Sequence, residues 1–207
     1  MIYKPTIESC GGRGIIFLDN KIAENRINDI LQQDNFIIQR IVKQHEKLKE
    51  FNSSSLNTVR VMTLLLNNNV HILYMVLRVG KEGMKLDNAS AGGIQIPIMK
   101  NGMFSNNIVT IDNKKVTDEK ILKKYNNKEM PFYNQIAKEV KRLHPFISTC
   151  KIVGWDIAID EKGNPTVIEI NLEDIGMTDK SQAVNGPLFG EITDNLLNIL
   201  TQKRRLK

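Results

Sequence analysis

Three neighbouring stretches, Gly154-Trp155-Asp156-Ile157-Ala158-Ile159-Asp160, Glu161-Lys162-Gly163-Asn164 and, after Pro165, Thr166-Val167-Ile168-Glu169-Ile170-Asn171, constrain the fold more than any other part of the chain. β-Branched residues alternate with polar ones on both sides of a Gly-containing turn, which is the two-residue period of a strand pair. A turn centred between Lys162 and Gly163 sets Asp156 opposite Glu169, and puts Asn171 two residues along on the face of Glu169. Facing carboxylates repel, so this placement requires a cation, a shared proton or full solvation. Two carboxylates and an amide are hard oxygen donors suited to Mg²⁺. A half-exposed hairpin whose polar face meets water satisfies the same spacing. The other face, Ile157, Ile159, Ile168 and Ile170, is expected to pack on a core.

A second hairpin is expected from Thr58 to Leu66 and Val70 to Arg78, two runs of β-formers joined at Asn67-Asn68-Asn69. A turn centred on Asn68 brings Arg60 and Arg78 to one face as near-diagonal neighbours. Two adjacent guanidiniums favour an anion between them, and their fork geometry suits phosphate oxygens or a developing acyl-phosphate. Exposed arginines on a solvated strand face are the alternative. Upstream, Gly11, Gly12 and Gly14 let the backbone approach phosphates closely, and Lys4 on the preceding extended segment supplies a point charge. The loop lacks the Gly-Lys-Ser/Thr ending of a Walker loop, and a simple mobile turn fits it as well. Asn88-Ala89-Ser90-Ala91-Gly92-Gly93 is a further small-residue turn able to line a site. His45, His71 and His144 have no metal-ligand spacing and read as structural or surface residues.

Between these features the chain reads as a mixture of helices and strands. Ile22, Ala23, Ile27, Ile30 and Leu31 recur at helical spacing, a polar helix is expected near Lys43 to Phe51, and another from Phe132 to Leu143 before Pro145. Ile192, Leu196, Leu197, Ile199 and Leu200 mark an amphipathic terminal helix. Asn52-Ser53-Ser54-Ser55 is the clearest linker signal and divides the chain into residues 1–52 and 53–207. The 207 residues suffice for a core without disulfide or metal staples, and two cysteines, Cys10 and Cys150, make no disulfide framework. No apolar run reaches the ~18 residues of a membrane span, and no secretory leader opens the chain, so a cytoplasmic location is expected. The net charge of +6 favours anionic partners, but interleaved stacking aromatics are missing and nucleic acid is not expected. Nothing in the sequence bears on oligomeric state.

Taken in order, these pieces resemble the ATP-grasp superfamily, most closely its alpha-L-glutamate ligase-related branch and the sugar-transfer-associated ATP-grasp domain. Lys4-Pro5 and Gly11-Gly12-Arg13-Gly14 resemble the phosphate-covering lid, and Phe36-Ile37-Ile38-Gln39-Arg40-Ile41-Val42 resembles the hinge around adenine. Arg60, Arg78 and Asn88 follow in the family's order, and Asp156 with Glu169-Ile170-Asn171 resembles its metal-binding aspartate and Glu-x-Asn pair. The resemblance implies an α+β fold in which two subdomains with antiparallel sheets, a lid over residues 1–52 and a catalytic part over 53–207, grip ATP between them. It implies Mg²⁺ held by Asp156, Glu169 and Asn171. ATP would be held by Lys4, Gly11, Gly12, Arg13, Gly14, Gln39, Arg40, Ile41 and Asn88, and Arg60 and Arg78 would be catalytic. The activity implied is joining a small-molecule carboxylate to an amine through an acyl-phosphate, on an amino acid, peptide or polysaccharide precursor. A nucleotide-binding module or fragment without turnover is the alternative. The chain departs from the pattern in three places. It begins three residues before Lys4, it continues after Asn171 as Leu172-Glu173-Asp174-Ile175-Gly176, and it carries Gly154 where more distant relatives have an arginine.

Overall fold

The computed structural model describes residues 1–6, 14–18, 28, 32, 35–83, 93–110, 112, 114–173, 175 and 186–205, the side chains of 202–205 excepted. The helical spacing at Ile22, Ala23, Ile27, Ile30 and Leu31 lies outside the described residues. The architecture is α+β with two antiparallel sheets. Strands β1 (Ile2–Pro5), β2 (Ile16–Phe17) and β3 (Phe36–Gln39) form a small sheet in the order β2-β1-β3. Strands β4 (Thr58–Leu66), β5 (Asn69–Val79), β6 (Ile94–Ile98), β7 (Val109–Thr110), β8 (Ile152–Ile159) and β9 (Pro165–Asn171) form the large one, in the order β7-β6-β5-β4-β8-β9. No helix among the described residues is long and apolar enough to cross a membrane.

Both expected hairpins form, and each contains one bulge. The β4–β5 turn is made by Asn67 and Asn68 at φ 48° and 62°, the left-handed conformation that asparagine tolerates and that matches strand twist in a two-residue turn. From there Leu66 pairs with Asn69 as far as Thr63 with Ile72; Leu73 is then bulged out, and Met62 pairs with Tyr74 and Thr58 with Arg78. The β8–β9 loop closes as Asp160 N–H to Asn164 O at 3.0 Å, with Asp160 Oδ1 accepting the backbone N–H groups of Lys162 and Asn164. Gly163 there needs its φ of +86°, and a Cβ on it would sit 2.8 Å from the Phe132 ring. This loop is centred one half-step earlier than the sequence suggests. Ile168 is bulged out between Val167 and Glu169, which restores Asp156 opposite Glu169. The bulge also moves the core contact from Ile168 to Val167, while Ile170 is left 41% exposed rather than packed.

One face of the large sheet carries the main core. Val59, Val61, Met75, Leu77, Ile96, Val153, Trp155, Ile157 and Ile159 point there, as strand alternation requires, against α3 (Tyr133–Leu143) through Ile136 and Val140. Helix α2 (Glu119–Tyr125) adds Tyr125, which packs with Phe51 and Phe104 at ring separations of 5.4–5.7 Å. The short helix α1 (Glu46–Lys49) buries Leu48 in the same core. The terminal helix α4 spans Thr193–Arg205, as its apolar periodicity suggests, but Leu197 and Leu200 are exposed. The Asn52–Ser55 segment is no exposed linker. Asn52, Ser55 and Asn57 are buried, and Gln44 Nε2 donates to the carbonyls of Asn52 and Ser55 while its Oε1 accepts from Asn57 N–H. Gln44 also bridges to Asp160, and His45 N–H donates to Ile159 O at 3.1 Å. The chain leaving β3 is therefore bonded to the end of β8.

A buried polar relay crosses the core face. Trp155 Nε1 donates to Thr63 Oγ1 at 2.8 Å, Thr63 Oγ1 lies 2.7 Å from His144 Nδ1, and His144 Nε2 lies 3.1 Å from Cys150 O. A neutral imidazole with its proton on Nε2 satisfies every contact. Burial lowers the His144 pKa, with the Cys150 carbonyl opposing and Lys151 assisting. The unfolded chain takes up that proton near pH ~6.5, so stability is full above that pH and is lost as pH falls toward the lowered folded value. Denaturant midpoints are expected to decline as pH falls through about 6.5, and the decline should shrink in His144→Gln. An equal decline in both proteins would locate the acid sensitivity elsewhere.

Candidate functional site

The opposite face of the large sheet begins with a second apolar patch, Met62, Tyr74, Val76, Val109 and Ile175. Toward the other ends of β4, β5, β8 and β9 this face turns polar. Arg60 lies directly opposite Asp156 across β4–β8, and Asp156 lies directly opposite Glu169 across β8–β9. Arg78 is the diagonal neighbour of Arg60, being paired with Thr58 and with Gln95 of β6. Arg60, Arg78, Asp156, Glu169 and Asn171 thus come together on one sheet face; the expected registers held within each hairpin, and the β4–β8 pairing, which they did not address, joins the two groups.

Asp156 is the hub. Arg60 grips it in the bidentate manner, Nε to Oδ1 at 2.6 Å and Nη2 to Oδ2 at 3.0 Å, and Arg78 Nη1 donates to Oδ1 at 3.1 Å. The carboxylate is only 9% exposed, against 15% for the Arg60 side chain and 29% for that of Arg78. Burial works to raise the Asp156 pKa, but the Arg78 charge, the Arg60 bonds and a hydrogen bond from Asn171 outweigh it and hold the carboxyl below its usual range. For Arg60 burial works downward, and the bond and charge of Asp156, with smaller contributions from Tyr74 and Glu169, carry the pKa upward. Two guanidiniums face two carboxylates here, so the site as a whole is close to neutral while its halves are strongly charged.

Gly154 creates the room for this arrangement. A Cβ there would lie 3.0 Å from Ile175 Cγ2, 3.4 Å from Asn171 Cβ and 3.7 Å from Arg60 Nη1, so any side chain at this position would crowd the Arg60 guanidinium. Asn171, paired with Gly154, directs its amide at Gly154 O at 3.5 Å, and the carbonyl of Ile175 is 3.5 Å from Arg60 Nη1. Ile175, four residues beyond Asn171, thereby touches the site. Tyr74, Gln95 and Thr58 also share this face, and sequence reasoning did not single them out. Alternation from Arg78 points to Tyr74, but Gln95 becomes visible only with the β5–β6 register.

The donor chemistry fits Mg²⁺. Among the described residues no three His, Cys, Asp or Glu side chains gather as a metal site; Asp156, exposed Glu169 and the Asn171 amide beside them would offer three protein oxygens to such an ion. Asp156 already carries a cation in the form of Arg78, which shows that its position tolerates positive charge. The residues expected in a lid fall elsewhere. Lys4 lies in β1 opposite Ile37, Gly14 lies against Pro5, and Gln39, Arg40 and Ile41 lead from β3 toward Gln44. Gly11, Gly12, Arg13 and Asn88 lie outside the described residues.

Residues 2–194 match the sugar-transfer associated ATP-grasp family, and the chain belongs to it. Among solved structures it is similar to an L-amino acid ligase from Bacillus licheniformis, at 13% identity over 84% of this chain and 32% of that one, with a TM-score of 0.46. The chain spans about a third of that ligase's length. No curated protein sequence matches it.

Removing Asp156 strands two half-buried cations, whereas removing Arg78 leaves Asp156 its bidentate partner. Asp156→Asn is therefore expected to lower unfolding free energy by on the order of 3 kcal/mol, and Arg78→Gln by about 1 kcal/mol or less. Urea titration of both variants checks this; equal losses would remove Asp156 from the centre of the cluster.

Proposed function

We propose that this chain is the nucleotide-binding and catalytic part of a Mg-ATP-dependent carboxylate–amine ligase. The observation that carries the reading is the bipolar face, in which Arg60 and Arg78 lie side by side with Asp156, Glu169 and Asn171. A magnesium polyphosphate is itself bipolar, with phosphate oxygens for guanidiniums and a dication for carboxylates. Membership of the ATP-grasp family supports the same ligand. In this reading Asp156, Glu169 and Asn171 hold Mg²⁺, which supplies charge neutralisation at the transferred phosphate. Lys4, Gly11, Gly12, Arg13 and Gly14 cover the phosphates from the lid, Gln39, Arg40 and Ile41 border the adenine, and Asn88 lines the site. The division into a lid over residues 1–52 and a catalytic part over 53–207 belongs to the proposal as well.

The substrate carboxylate oxygen attacks the γ-phosphorus and ADP leaves, giving an acyl-phosphate. The amine then attacks the acyl carbon, phosphate departs and the nitrogen loses a proton. Arg60 and Arg78 stabilise charge on the transferring oxygens, and closure of the small sheet excludes water from the acyl-phosphate. The carboxylate belongs to an amino acid, a peptide or a polysaccharide precursor. Calorimetric titration of ATP with and without Mg²⁺ tests the site, on wild type and on the double variant Glu169→Ala, Asn171→Ala. Magnesium-dependent binding that the variant loses is expected. Binding indifferent to magnesium or to both substitutions would refute the cation site, and binding without ATP turnover on any added carboxylate and amine would reduce the chain to a nucleotide-binding module.

A further inference from the structure

The oxygens of Asp156 are already held by guanidiniums. Oδ1 accepts from Arg60 Nε and Arg78 Nη1, and Oδ2 accepts from Arg60 Nη2. A cation coordinated by Asp156 needs an oxygen released by one of these donors. The two arginines are not equivalent. Arg60 is bidentate, directly cross-strand and 15% exposed, whereas Arg78 makes one longer bond from a diagonal position and is 29% exposed. Arg78 is the more weakly held and more exposed partner. We propose that Arg78 is a placeholder for the divalent cation on Asp156, so that cation binding and delivery of the Arg78 guanidinium to an anion are one exchange. This rests on the reading of Asp156, Glu169 and Asn171 as a cation site and adds a coupling to it.

The consequence is charge-selective. A divalent cation arriving alone has to expel Arg78 into a site without a phosphate to receive it, and then sits close to two guanidiniums. When the cation arrives with a phosphate, the displaced guanidinium gains a bidentate partner. Arg78 thereby makes cation binding conditional on an anion, and keeps free magnesium from occupying the site before nucleotide does.

Mn²⁺ binding to the full chain, read by the electron paramagnetic resonance signal of free Mn²⁺, tests the exchange without turnover. Sulfate serves as the anion because it binds Mn²⁺ weakly itself, with chloride at equal ionic strength as the reference. Wild type is expected to bind Mn²⁺ severalfold more tightly in sulfate than in chloride. Arg78→Gln, which removes the charge and keeps an amide, is expected to bind Mn²⁺ in chloride about tenfold more tightly than wild type and to lose the sulfate effect. Arg78→Lys, which keeps the charge, should retain weak binding in chloride. Should Arg78→Gln fail to fold, the wild-type sulfate response decides alone. No sulfate response, or a glutamine variant with unchanged Mn²⁺ affinity, overturns the exchange while Mn²⁺ binding lost in Glu169→Ala still supports the cation site. If Glu169→Ala binds Mn²⁺ as wild type does, the cation site itself is wrong and the exchange falls with it.

Discussion

The bidentate pairing of Arg60 with Asp156 across β4 and β8 is the interaction on which the functional face depends. Without Asp156, Arg60 and Arg78 would be adjacent like charges on a partly buried surface. At an effective dielectric near 20 and about 4 Å, such a pair costs on the order of 4 kcal/mol. Without the arginines, Asp156 and Glu169 would face each other as like charges across β8 and β9. Each half of the cluster is thus the solution to the other's repulsion, and the cluster can hold opposite charges ready for a ligand that carries both.

The sheet around this pair has to present two incompatible surfaces, and strand alternation supplies them. Odd-numbered residues of β4 and β8, such as Val61, Trp155 and Ile157, fill the core, while Arg60 and Asp156 turn the other way. The bulges at Leu73 and Ile168 keep this phase where the turns would break it. Val167 packs inward and Glu169 faces outward although they are two residues apart, which unbroken alternation forbids. Bulges beside functional side chains are a recurring way of re-aiming them, and here both lie in strands next to the β4–β8 pair.

Three short strands make a sheet of marginal independent stability, so the small sheet depends on its attachment. That attachment is built from buried amides. Gln44, Asn52 and Asn57 tie the chain leaving β3 to β4 and, through Gln44 and His45, to the Asp160 end of the same hairpin that carries Asp156. Asn57 spends both amide protons on the carbonyls of Leu48 and Asn52 and leaves its buried Oδ1 without a hydrogen bond. A buried acceptor left in that state costs about 1–3 kcal/mol, which the rest of the network has to offset. The segment reads as a polar linker in sequence because amides and hydroxyls favour loops; here they satisfy one another inside the protein instead.

Much of this was legible in the amino-acid sequence. β-Former runs and alternation identified the two hairpins, Asn67-Asn68-Asn69 and Gly163 marked their turns although Asn69 proves to belong to β5, and spacing gave Arg60 with Arg78, and Asp156 with Glu169 and Asn171, a shared face within each hairpin. The register at Asp156 was nevertheless reached through a turn centre that the loop does not have, and the bulge at Ile168 offset the difference. Bulges carry no signal in a run of β-branched residues, because any of them can be extruded at similar local cost, and neighbouring strands decide which one is. The same limit hid the partners of Asp156. Spacing along the chain shows that charged groups share a face, but whether a carboxylate meets a metal, water or two guanidiniums depends on which strands lie side by side, and only the order β5-β4-β8-β9 brought Arg60 and Arg78 to it.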